Sequence, residues 1–169
     1  MDNVEKLDVL LRHKELVNDS TTRLGRKLVQ QGEIKLGLDL IAAGFEHDNS
    51  KFSGIEWEAL TGETTDDTKL AIAVRHHNHT NQHHPEAWTS IHEMPRHFIA
   101  EMVCDWQARC TAFGTSLLDW INGEAQERYG FTKDDPIYEK IMFFVNLLCD
   151  KPFKRIGTKA KRPRPVKTP

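Results

Sequence analysis

The chain has 169 residues, a net charge of −2 and a mean hydropathy of −0.57, which suits one compact domain with its own core. No window approaches the ~18 uninterrupted apolar residues of a membrane span, and the start, Met1-Asp2-Asn3-Val4-Glu5, lacks a signal-peptide apolar run. Cys104, Cys110 and Cys149 are odd in number and form no CxxC spacing, so a disulfide framework and a cysteine-held zinc are excluded, and a reducing cytoplasm is the expected location.

In chain order, Val4, Leu7, Leu10, Leu11, Leu16 and Val17 mark a first helix, which either runs on through Leu24 and Leu28 or restarts at Asp19 or Ser20, and which Gly32 stops. Ile34, Leu38, Ile41 and Phe45 recur at helical spacing and predict a second helix from about Glu33 to Phe45. Ser53 has the character of an N-cap for a short helix carrying Ile55, Trp57 and Leu60. Asp66 or Asp67 opens a helix carrying Leu70, Ala73, Val74 and His77, whose periodicity fades between Asn78 and His84. Pro85 to Trp88 reads as a first helical turn. Pro95 starts a long helix to about Phe113, with Ile99, Met102, Val103, Trp106 and Cys110 inward. Ser116 caps a helix through Tyr129 that Gly130 ends, and Asp134 or Asp135 caps a last one with Ile137, Ile141, Phe144, Val145 and Leu148. Strand signals are nearly absent. The expectation is an all-α bundle of six or seven helices over residues 1–150, followed by a disordered basic tail, residues 151–169.

Charge divides along the same boundary. The tail holds eight Lys or Arg and no acid, leaving 15 basic against 25 acidic residues in the body, a net of −10. An acidic body argues against a domain that coats nucleic acid and is compatible with one that holds cations. The tail alone offers a nucleic-acid contact.

Histidine is the outlier. Nine are present, five of them between His76 and His84, where ordinary usage of ~2% predicts three or four in the whole chain. His76 to His79 (i+3) and His79 to His83 (i+4) are spacings that can share a helical face. His47-Asp48 follows an apolar helix, and imidazole plus carboxylate suits borderline or hard divalent ions. His13 lies among apolar neighbours on the first helix. Asp105 lies between Val103 and Trp106, where an unpartnered carboxylate is costly to bury. Glu101 stands one turn before Asp105 on the same face.

The order His13…His47-Asp48…Asp105 on separate helices resembles the HD superfamily of metal-dependent phosphohydrolases. That resemblance implies that these four residues hold a divalent ion inside a helical bundle. Some members insert further histidines that recruit a second metal, for which His77 and His84 are the first choices and His76 and His83 the next. The stretches His47-Asp48-x-Ser50-Lys51-Phe52-Ser53, His76-His77-x(3)-Asn81-x-His83-His84-x(2)-Ala87-Trp88 and Met94-Pro95-x(5)-Ala100-Glu101-Met102-Val103-x-Asp105-Trp106 look like a small phage and bacterial HD-like family of unknown function. The likeness covers residues ~10–125 and implies an HD-type fold, in a host cytoplasm if phage-encoded.

The chemistry expected is hydrolysis of a phosphate ester, most naturally a nucleotide's (nucleotidase, triphosphohydrolase or cyclic-nucleotide phosphodiesterase), with one or two ions of Mn, Fe, Zn, Co or Mg supplying a hydroxide. Asp48 is the natural bridge because a carboxylate has two oxygens. Lys51 and Arg75 are expected to neutralise phosphate, with Asn81, His76 and His83 at the substrate. Glu101 is expected to hold a ligand histidine or act as general acid or base. Trp88 and Trp106 either stack a base or belong to the core. Two alternatives stand beside this one: a nucleic-acid-associated protein with a structural metal, and a di-iron oxygenase of HD type. A homo-oligomer is compatible with all three.

Overall fold

The computed structural model describes residues 2–62 and 66–149, and the tail expected to be disordered lies outside the described residues. Among those residues there are eight α-helices and no strand: α1 (Asn3–Gln30), α2 (Ile34–Glu46), α3 (Gly54–Thr61), α4 (Asp67–Thr80), α5 (Arg96–Phe113), α6 (Leu117–Asn122), α7 (Glu124–Tyr129) and α8 (Pro136–Leu148). Short 3₁₀ turns at Asn49–Phe52, Pro85–Ala87 and Ile91–Glu93 join them. None of the described helices is long and apolar enough to cross a membrane.

Local chemistry sets the ends. Asp2 accepts from the Glu5 amide at 2.8 Å while Glu5 Oε2 accepts from the Asp2 amide at 2.8 Å, a reciprocal cap that satisfies two otherwise orphaned donors at the start of α1. The helix then runs through Asp19 and Ser20 without a restart. The count exceeds the expected six or seven because the single helix predicted from Ser116 to Tyr129 is two. Gly123 sits at φ −120°, ψ −105°, far from helical values, so the helical hydrogen bonding cannot continue through it.

The core surrounds α5. Ile99, Met102 and Val103 are fully enclosed together with Leu24 and Leu28 of α1, Leu40 of α2 and Ile141, Phe144 and Val145 of α8. α5 is thus a central rod sheathed by α1, α2 and α8, and its buried apolar area is the main stabilising term of the bundle.

The apolar pattern that reveals α2 is its outer surface. Ile34, Leu38 and Phe45 face solvent, while Gly37, Leu40 and Gly44 face inward. A Cβ at Gly37 would stand 2.4 Å from the Gly25 carbonyl oxygen, and one at Gly44 would stand 2.0 Å from Thr21 Oγ1. Helix α1 therefore approaches through a glycine-paved strip that hydrophobicity alone does not mark.

Candidate metal centre

Helix α2 delivers His47 and Asp48 by ending abruptly. Asp48 adopts φ 55°, ψ 22°, alone among the described non-glycine residues in having positive φ. This left-handed turn costs on the order of 1 kcal/mol. It aims the Asp48 carboxylate at the space that the His47 ring faces. Lys14 on α1 braces the turn, donating to the His47 carbonyl at 3.0 Å and to Asn49 Oδ1.

Around Asp48 the donors fall into two sets. On the Oδ2 side stand His47 Nε2 at 3.5 Å and His13 Nε2 at 3.7 Å, and His13 Nε2 lies 3.1 Å from Asp105 Oδ1. On the Oδ1 side stand His77 Nε2 at 3.2 Å and His83 Nε2 at 3.4 Å, with His84 Nε2 3.0 Å from His77 Nε2. Donor atoms ~2.1 Å from one ion stand ~3.0–3.4 Å apart in octahedral or tetrahedral shells. Most of these spacings fall there, and the sets Asp48/His77/His83/His84, His13/His47/Asp48 and His47/His83/Asp105 each offer one donor atom per residue, all within 4.8 Å of one another.

Carboxylates behind the rings fix which nitrogen points inward. His47 Nδ1 donates to Glu101 Oε1 at 3.0 Å, and His83 Nδ1 lies 3.4 Å from the same oxygen. His77 Nδ1 donates to Glu56 Oε2 at 2.8 Å. Because an ionised carboxylate only accepts, the proton sits on Nδ1 and each Nε2 keeps its lone pair for the cluster.

Of the buried side-chain atoms without a hydrogen-bond partner among the described residues, three lie in this cluster: His47 Nε2, Asp48 Oδ1 and His83 Nε2. Leaving such groups unmade costs ~1–3 kcal/mol each. All three are acceptors facing one space, and a divalent cation satisfies all of them, so the donor set fits a metal.

The electrostatics agree. Burial by itself would raise the Asp48 carboxyl, but the surrounding His47, His77 and His83 imidazoles and the Lys51 ammonium outweigh it and hold Asp48 well below the usual carboxylate range. Burial opposes ionisation of Asp105 too, and is overcome by the hydrogen bond from His13 and by His47 and His83, so Asp105 also stays low. His84 is pushed down to about 3, first by burial and then by neighbouring His83, with Asp105 offsetting only part. The cluster thus presents anionic carboxylates and, at His84, a neutral imidazole, the protonation states that cations require.

Two clefts open on this centre. One, about 180 Å³, is lined by His13, Asp48, Lys51, His77, Asp105 and Arg109 among others. The other, about 810 Å³, begins at His84 and Asp105 and runs past Arg109 to Trp106, Trp120 and Tyr129. Trp106 stacks on Tyr129 (5.8 Å, 12°) and meets Trp120 edge-on (6.0 Å).

The fold brings together His13, His47, Asp48, His77, His84, Asp105, Lys51 and Glu101. Lys51 Nζ donates to Asp48 Oδ2 at 2.6 Å. His83, expected at the substrate, is buried inside the donor cluster instead. Arg75 is exposed on α4 and lines neither cleft. His76 turns to Glu56 Oε1 at 2.9 Å, away from the expected substrate position. Asn81 donates to Ser50 Oγ at 3.0 Å and to the His77 carbonyl at 3.0 Å, bracing the end of α4. Trp88 packs on Phe98 at 5.7 Å and lines neither cleft.

Sequence reasoning missed Glu56 and Arg109. Ser53-x-x-Glu56 has capping-box spacing, which disguises Glu56 as a helix cap. In the structure Ser53 makes no such cap, and Glu56 is buried against Ser50, His76 and His77. Arg109 follows Asp105 by one helical turn, a signal that was available.

The profile of the family of unknown function DUF5662 matches residues 2–151. The chain belongs to the DUF5662 family. Neither curated proteins nor solved structures give a match to this DUF5662 chain.

Proposed function

We propose that this protein is a divalent-metal-dependent phosphohydrolase of HD type, acting on a phosphate ester, with a nucleotide as the preferred substrate class. The observation that carries the proposal is Asp48, a buried carboxylate with one oxygen toward each of two imidazole sets at the floor of an open cleft. His13, His47, Asp48 and Asp105 would hold one ion, and Asp48, His77, His83 and His84 a second.

When bound, such a pair of ions supplies a water of lowered pKa and neutralises phosphate oxygens. The chain's own residues do the rest. Lys51 and Arg109 bring positive charge to the cleft that a phosphate would enter. Glu101 and Glu56 hold the ring protons of His47 and His77, so those rings cannot rotate out of position. The larger cleft gives the organic part of the ester a volume typical of small-molecule sites and an aromatic wall on which a flat base can lie.

The decisive experiment is a screen of the purified chain with Mn, Fe, Zn, Co and Mg against nucleoside mono-, tri- and cyclic phosphates, reading released phosphate or ring-opened product. Metal content per chain is measured in parallel. Asp48→Ala should lose bound metal and at least ~10³-fold in rate. A variant as active as the parent would refute the proposal, as would a parent that binds metal and hydrolyses none of these esters.

A further inference from the structure

The outer face of α2 has no counterpart within the described residues. Ile34, Leu38 and Phe45 are 58%, 56% and 63% exposed, and Ile41 completes the row, half-buried on the side of Gly25. Isolated exposed apolar residues are ordinary, but three on one stripe of a short helix, with a fourth half-buried beside them, are not. The inward side of the same helix is fully engaged through Gly37, Leu40 and Gly44.

We propose that this stripe is the face on which a second copy of the chain packs, with the two α2 helices antiparallel across a two-fold axis. The pattern is self-complementary. Reversal about the midpoint of the stripe sets Ile34 opposite the partner's Phe45 and Leu38 opposite the partner's Ile41. A two-fold interface demands this reciprocity, and a foreign partner does not.

Charge repeats the pattern. One flank of the stripe is occupied by α1. The other carries Lys35 and Asp39 one helical turn apart and Glu46 two turns further on. In an antiparallel helix pair, like flanks of the two copies meet. Lys35 of each copy then approaches Glu46 of the other, giving two symmetric pairs of opposite sign. Within one chain Lys35 Nζ pairs with Asp39 Oδ2 at 2.6 Å, which neutralises the carboxylate nearest the axis.

The stripe supplies about half of the ~800 Å² per partner found in stable complexes, so the association belongs with the weak, reversible ones. It also bears on the centre described above, because Phe45 lies two residues before His47. The inference does not depend on the proposed activity.

Sedimentation of the full chain from ~1 to ~300 µM tests it. A monomer–dimer equilibrium is expected. Leu38→Glu should remain monomeric throughout, with the helical circular dichroism of the parent. Lys35→Glu should weaken the dimer ~10-fold, and Lys35→Glu combined with Glu46→Lys should restore it. A parent chain that stays monomeric at every concentration overturns the proposal, as does a dimer indifferent to Leu38→Glu or a double reversal that does not rescue. A chain that dimerises only after residues 151–169 are removed also overturns it, since the tail would then be the occupant of the stripe.

Discussion

One helix serves two environments. On α5, Ile99, Met102 and Val103 are fully enclosed in the cluster of buried apolar side chains. Glu101 and Asp105, on the same helix, enter a cluster in which carboxylates and imidazoles are buried and some acceptors remain unmet. The first region is complete as folded, because close-packed apolar side chains need nothing further. The second is built at a cost in desolvation that a ligand must offset. The division runs along α1 as well, with His13 in the cluster and Leu24 and Leu28 in the core. A rigid apolar half holds a strained polar half in place.

Changes confined to one half put this contrast to the test. The largest effect is expected from Phe144→Ala, which empties a fully buried ring site and should cost ~3–5 kcal/mol in urea unfolding. The loss should be equal with and without divalent cation. A loss that depends on metal would mean that the core and the cluster are not separable. Next in size is the cation itself. Mn²⁺ at ~100 times its dissociation constant should raise unfolding free energy by ~2.7 kcal/mol, and a chelator should reverse the gain. Acidification toward the value of about 3 at which His84 gains its proton should shrink the gain, since protons then compete with the cation for that lone pair. Thermal denaturation at several pH values reads both. A metal increment unchanged through that value would exclude ligation by His84.

The smallest effect sharpens the contrast within the cluster. Glu56 braces His77 but touches neither His13 nor His47. Glu56→Gln should therefore weaken one of two calorimetric binding steps by ~10-fold and leave the other unchanged. Equal weakening of both steps would show that the two donor sets behave as one site.

Much of this was legible in the chain. The all-α class followed from helical periodicity and the scarcity of strand signals. His13, His47, Asp48 and Asp105 were legible because their order along the chain resembles that of the HD superfamily's ligands, and because a carboxylate such as Asp105 inside an apolar helix needs a partner. The direction in which a side chain leaves its helix was harder to read. Arg75 and His76 neighbour His77 in sequence yet point elsewhere, because successive residues on a helix diverge by about 100°. The facing of α2 was hidden for a different reason. Its packing surface is made of glycines, which carry no hydrophobic signal, while its apolar residues mark the outside. Glu56 was hidden by a local pattern that imitates a cap.

The left-handed backbone at Asp48 restricts what mutation can explore there. Glycine, asparagine and aspartate enter that conformation most readily. Glycine brings no donor atom, and asparagine exchanges one oxygen for an amide that cannot face a cation. A glutamate would keep the charge but meet the torsional penalty and overshoot by a methylene. Fold and chemistry thus converge on a single amino acid at this one point, and a library saturated at codon 48 should return aspartate almost alone whenever retention of metal is the selection.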